Sequence, residues 1–95
     1  MARGINTIMV EISEKQRVID QYRERIRKYE REREEEREQK QRIWNSEYPG
    51  VVPYSYYGDM YELYTGFISR DKMEIVKVQE QINVLKKELA LAEQK

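Results

Sequence analysis

Side chains that could carry out chemistry are few in this sequence. The 95 residues include no histidine and no cysteine, which removes the usual proton shuttle at neutral pH and most zinc-ligand sets. Asp71 alone stands out, as an acid among regularly spaced apolar residues. Catalysis by a carboxylate requires a second carboxylate or a metal ion in a pocket, and the sequence predicts neither. We therefore expect no enzyme activity, no metal and no cofactor.

Asp71 is better explained as a buried polar group that aligns two helices. Arg33 occupies a position of the same kind in the first half of the chain, where the spacing calls for an apolar residue. We therefore expect Arg33 to be the partner of Asp71. A buried pair of this kind specifies alignment more than it stabilises a fold.

The spacing of the apolar residues predicts two long helices over roughly residues 5–46 and 59–93. Positions that alternate steps of three and four residues place one stripe on one side of a helix. We call these stripes the seams; they consist of residues 5, 8, 12, 15, 19, 22, 26, 29, 33, 36, 40 and 43, and of residues 61, 64, 68, 71, 75, 78, 82, 85, 89 and 92. We expect Val76, Val84 and Leu91 to widen the second seam.

The segment between the helices, residues 46–58, is predicted to be an aromatic loop. Pro-Gly at 49–50 is a strong turn signal, and an irregular loop is favoured over a short β-hairpin, which stays open. The predicted fold is therefore all-α, a single domain over residues 1–95 in which two antiparallel helices form an αα-hairpin or coiled coil. With the turn centred near residue 51, the numbers of facing residues sum to about 102.

The apolar residues nearest the loop have no predicted counterpart in the first helix. In this alignment residues 60–68 face residues 34–42, which contain no apolar side chain. Eight of the ten aromatic residues lie within residues 44–67, and tyrosine and tryptophan are enriched at binding hot spots. We predict a protein interface made of Met60, Tyr61, Tyr64, Phe67, Ile68, Trp44, Tyr54, Tyr56 and Tyr57. The alternative is that these residues pack locally and tie the loop to the helix ends, Trp44 and Tyr48 first.

The charge balance argues against a nucleic-acid partner. The chain has 18 basic and 18 acidic side chains, so no basic surface is expected to attract phosphates. No apolar stretch is long enough to cross a membrane, and no cleavable signal sequence is visible. We expect a cytoplasmic protein, or one that is exported without a cleaved signal peptide.

The sequence resembles the WXG100 (ESX-type) helical-hairpin proteins of type VII secretion. The resemblance rests on chain length, two long helices, the lack of cysteine and Trp44 at the end of the first helix, in "IWNSEYPG", where Ser46 replaces the motif glycine. "FISRD", residues 67–71, is similar to the Phe-x-x-x-Asp element of hairpin partners of exported toxins, although here it lies within a helix. The resemblance implies an adaptor or targeting partner that joins another hairpin in a four-helix bundle.

The sequence thus predicts a non-catalytic protein-interaction module that forms a homodimer or pairs with a helical toxin segment. Two further classes stay open. One is a phage or mobile-element protein that binds and inhibits a host protein, which an exposed aromatic tip suits equally well. The other is a structural or prefoldin-like coiled coil.

Overall fold

The computed structural model describes residues 4–47 and 58–94. Helix α1 spans Ile5–Glu47 and helix α2 spans Gly58–Glu93. The two helices run antiparallel, since Lys15 of α1 donates a hydrogen bond to Gln81 of α2, whereas Arg25, later in α1, contacts Asp71, earlier in α2. The predicted all-α helical hairpin is confirmed, and both helices match their predicted limits to within one residue. The predicted interface residues Tyr54, Tyr56 and Tyr57, and the question of a β-hairpin, lie outside the described residues.

The seams form the core of the hairpin, as predicted. Every position of the α2 seam is buried or half-buried, and so is every position of the α1 seam except Ile5 and Ile43 near its ends. The buried apolar residues among those described are Ile8, Ile19, Ile26, Ile68, Ile82 and Leu85. A core of two helices is one side chain deep, so each helix buries only the side that faces the other.

The prediction that Val76, Val84 and Leu91 widen the second seam is wrong. Their exposed fractions are 58%, 64% and 64%. Each residue of an α-helix advances about 100° around the axis. Val84, two residues beyond the buried Ile82, therefore lies on the far side of α2. In a hairpin without a third helix, nothing in the described part of the chain covers that side.

The alignment of the two helices also differs from the prediction. Lys15 contacts Gln81, and Arg25 contacts Asp71, and the residue numbers of both pairs sum to 96. Relative to the predicted alignment, α2 is displaced by about six residues, or roughly 9 Å at 1.5 Å per residue. Residues 60–71 of α2 therefore face residues 25–36 of α1, a segment that includes Ile26 and Tyr29.

The start of α2 explains this displacement. Gly58 has a φ of 72°, in the left-handed region that favours glycine, and a Cβ there would lie 2.9 Å from Lys40 Nζ. Helix α2 thus begins beside Lys40, while α1 continues to Glu47. The last seven residues of α1 project about 10 Å beyond the first residue of α2. The prediction instead centred the turn near residue 51.

The hairpin is thin and extended, with principal dimensions of 71 × 17 × 15 Å. Its charged surface is supported by ion pairs one helical turn apart. Within the apolar-free segment 30–42, Arg37 pairs with Glu34 and Lys40 with Glu36. Pairs of this kind contribute about 0.2–0.5 kcal/mol each. In the described ranges, neither helix is apolar enough over a sufficient length to cross a bilayer.

Candidate protein-interaction site

An aromatic cluster joins the helices in the half of the hairpin nearest the loop. The ring of Tyr29 in α1 lies 5.2 Å from that of Phe67 and 6.2 Å from that of Tyr64, measured between centroids. Tilted rings at these distances attract one another beyond their shared buried area. Phe67 and Tyr64 are three residues apart and so lie on the same side of α2, opposite Tyr29. The predicted interface did not include Tyr29, because the predicted alignment placed it away from these residues.

Arginine side chains cover further parts of this cluster. The guanidinium of Arg33 lies 5.5 Å from the ring centre of Tyr61, and Nη1 of the same side chain donates a hydrogen bond of 3.2 Å to Thr65 Oγ1. Arg70 lies 5.5 Å from the ring centre of Phe67. Stacking of a cation on a ring contributes about 0.5–1 kcal/mol at an exposed site. These contacts hold the rings in place, and Tyr61, Tyr64 and Phe67 are only half-buried.

The structure therefore corrects the prediction that the stripe on α2 lacks a counterpart within one hairpin. Ile68 is buried, with 4% of its surface exposed, so its assignment to an interface with a second chain is wrong. Tyr61, Tyr64 and Phe67 are half-buried by contacts with α1. Among the predicted interface residues, Met60 is exposed and Trp44, in the last turn of α1, is half-buried.

Three apolar residues nearest the loop stay exposed, and we call them the loop-end patch. Ile43 is 47% exposed, Met60 44% and Leu63 47%. Met60 and Leu63 are one turn apart beside the aromatic cluster, and Ile43 lies on the projecting end of α1. Gly66 lies one turn after Leu63, and a Cβ added to this glycine would have no neighbouring atom within 4 Å outside the adjacent backbone of its own helix. The loop-end patch and the open space at Gly66 provide an apolar surface that another backbone can approach closely.

Asp71 binds Arg25 rather than Arg33, which corrects the predicted partner. Arg25 Nε donates to Asp71 Oδ2 at 2.8 Å, and Arg25 Nη2 donates to Oδ1 at 2.6 Å. This is the two-point geometry of a strong arginine–carboxylate pair. The Asp71 side chain is fully buried, whereas that of Arg25 is 46% exposed. The pair lies where the aromatic cluster meets the aliphatic core, so it links the two parts of the seam.

The electrostatics of this pair fit a structural role. The hydrogen bond from Arg25 holds the pKa of Asp71 below its ordinary value of 3.8, although burial acts in the opposite direction. The same hydrogen bond raises the pKa of Arg25. Partial burial raises the pKa of Tyr64, and the nearby carboxylate of Glu32 adds to this shift. Asp71 is therefore ionised at neutral pH with both carboxylate oxygens engaged.

The described geometry defines a helical hairpin with an apolar, aromatic surface near its loop. Comparisons with protein-family models, with curated proteins and with solved structures found no match.

Proposed function

We propose that this chain is a non-catalytic protein-interaction module that binds another protein through its loop-end patch. One observation carries the proposal: among the described residues, eleven large apolar side chains are exposed and only six apolar residues are buried. Isolated exposed apolar residues are ordinary, but grouped ones on a soluble protein mark interaction surfaces. Here Met60 and Leu63 lie one turn apart in α2, and each directly precedes a half-buried tyrosine, Tyr61 or Tyr64.

The total surface supports the same proposal. The accessible area is 7372 Å², whereas a compact monomer of 11.6 kDa is expected to expose about 5,800 Å². The excess of roughly 1,500 Å² exceeds the ~800 Å² that each partner contributes to a standard interface. A hairpin of this shape can therefore bury one interface, or two, and still keep its charged surface in water.

The partner that best fits the loop-end patch is a helical segment of another protein. The α2 part of the patch, Met60 and Leu63, forms a narrow strip along one helix, and an amphipathic helix binds such strips with apolar residues three and four apart. The leading specific proposal is that the partner belongs to a type VII secretion system. This proposal rests on the resemblance of Trp44 and of the "FISRD" segment to motifs of the helical hairpins in those systems. Inhibition of a host protein by a phage-encoded chain stays the alternative.

Photo-crosslinking from single positions in the native cell tests this function. A photoreactive amino acid at Leu63 should give a discrete heavier species that contains this chain and one other polypeptide. The matched control is Gln16, which is exposed like Leu63 but lies in α1, far from the loop. Leu63→Asp should remove the co-purifying polypeptide and leave the helix content, measured by circular dichroism, unchanged. Equal cross-linking from both positions, or full binding by Leu63→Asp, would contradict the proposal.

A further inference from the structure

A second apolar surface lies on the outer side of α2, far from the loop. It consists of Met73, Val76, Val84 and Leu91, which are 63%, 58%, 64% and 64% exposed. We call these four residues the outer stripe. Together with Met60 and Leu63 of the loop-end patch, the outer stripe comprises all the exposed large apolar residues in the described part of α2.

Helix geometry places these residues on one side. Met73 and Leu91 are eighteen residues apart, which is about five full turns, so they point in the same direction. Viewed along the axis of α2, Val84 is rotated by about 20° from the direction of Met73, and Val76 is rotated by about 60° from that direction in the opposite sense. The buried Ile82 points nearly the opposite way. Two charged residues, Glu80 and Lys87, lie within the stripe and are both exposed.

We infer that the outer stripe binds the outer stripe of a second copy of this chain, with the two α2 helices antiparallel. A two-fold axis between Asn83 and Val84 places Val76 opposite Leu91 of the partner subunit. The same axis places Glu80 opposite Lys87 of the partner subunit. Each of these contacts occurs twice, because a two-fold interface repeats every pair.

The charges within the stripe select this arrangement. A parallel pairing in register would oppose Glu80 to Glu80 of the partner subunit and Lys87 to Lys87 of the partner subunit, which repel. The antiparallel pairing opposes unlike charges at both places, and such charges determine the orientation of paired helices. The overlap runs from about residue 73 to residue 94, roughly 30 Å. Since α1 lies on the opposite side of α2, it does not obstruct this overlap.

This inference rests on the proposed function in one respect, namely that the chain acts by binding protein. It adds that one of the bound proteins is a second copy of this chain. The loop-end patch lies outside the overlap, so the two surfaces can be tested separately. A failure of self-association would leave binding through Leu63 unaffected, and the reverse also holds.

Charge exchange at Glu80 and Lys87 tests the arrangement. Sedimentation equilibrium of the full chain should show a reversible dimer of the 11.6 kDa protein. Glu80→Lys alone, or Lys87→Glu alone, should weaken the dimer roughly tenfold or more, because like charges then face each other twice. The double variant should dimerise within about threefold of the wild type. In a mixture of wild type and double variant, mixed dimers should be depleted, since like charges then oppose each other in every mixed dimer.

The controls separate this interface from the loop-end patch. Glu62→Lys makes the same charge change on the same side of α2 but outside the overlap, and should leave the dimer unchanged. Val84→Asp should abolish the dimer, whereas Leu63→Asp should not. The inference is overturned if the chain stays monomeric at millimolar concentration. It is also overturned if the double variant fails to recover dimerisation, mixes freely with the wild type, or if Leu63→Asp rather than Val84→Asp removes the dimer.

Discussion

Replacing Asp71 or Arg25 tests whether this pair aligns the two helices. In Asp71→Asn the carboxamide keeps the shape of the side chain, but it loses the charge and turns one acceptor into a donor facing Arg25. Arg25 is 46% exposed and can turn partly towards water, so the loss is smaller than for a fully buried pair. We expect the free energy of unfolding to fall by about 2–3 kcal/mol.

Arg25→Gln should cost more than Asp71→Asn at neutral pH. The substitution leaves a fully buried carboxylate without its two guanidinium bonds. Removal of one partner from a buried pair costs roughly 3–5 kcal/mol. For a domain of this size, each kcal/mol lowers Tm by about 4–8 °C. Both losses are therefore measurable by thermal unfolding, followed by circular dichroism at one fixed protein concentration.

A double-mutant cycle distinguishes Arg25 from the partner that the sequence predicted. The cycle of Asp71→Asn with Arg25→Gln should show a coupling energy above about 1 kcal/mol, because the residues are in direct contact. The matched cycle with Arg33→Gln should be additive to within about 0.5 kcal/mol, since Arg33 contacts Thr65 instead. Additive losses for Arg25, or a larger coupling for Arg33, would refute the observed alignment.

Two further predictions concern pH and the glycines of α2. The folded-state pKa of Asp71 is below its unfolded value of 3.8, so the ion pair contributes its full stability above pH 3.8 and loses this contribution as the pH falls through the lower folded-state pKa. In acid titrations, the difference in free energy of unfolding between wild type and Asp71→Asn should therefore shrink below about pH 3.8. A difference that stayed constant there would contradict the lowered pKa. Gly66→Ala should raise the free energy of unfolding by about 0.5–1 kcal/mol, because the site is helical, exposed and open around a Cβ. The control Gly58→Ala should be destabilising, because the φ of 72° at this position is one that residues with a Cβ rarely adopt; equal effects of the two substitutions would argue against the described start of α2.

The sequence is informative about which side of each helix is buried. The seams repeat over ten and twelve positions, and no glycine or proline interrupts residues 5–46, so the helix limits could be predicted closely. Asp71 could be identified as a buried polar group, since it interrupts a continuous apolar stripe. These features are local, and each depends only on residues within a few turns of one helix.

The alignment of the helices could not be predicted in the same way. A seam repeats every seven residues, so a displacement of about one or two turns still places apolar residues opposite one another. Arg33 was predicted as the partner of Asp71 because it lies on the seam, whereas Arg25 lies eight residues earlier and beside the seam, so its position alone did not identify it. A signal was present in Tyr29: its ring requires apolar neighbours, and only the observed alignment places it against Phe67 and Tyr64. The outer stripe was missed because Val76 and Val84 were assigned to the seam.

The two proposed surfaces together would give the chain a specific architecture. One hairpin is 71 Å long, and an antiparallel dimer through the outer stripe overlaps by roughly 30 Å near the chain termini. The two loop ends then point in opposite directions, and the Leu63 side chains of the two loop-end patches lie roughly 60 Å apart along the dimer, because 41 residue positions separate them at about 1.5 Å each. Two identical patches at that separation cannot bind neighbouring sites on one small partner. They can bind two sites on a larger assembly, where linked binding raises the apparent affinity only if the spacing of the sites matches. The dimer would thus act as a rigid spacer between two copies of the partner, and its length would determine which assemblies it can join.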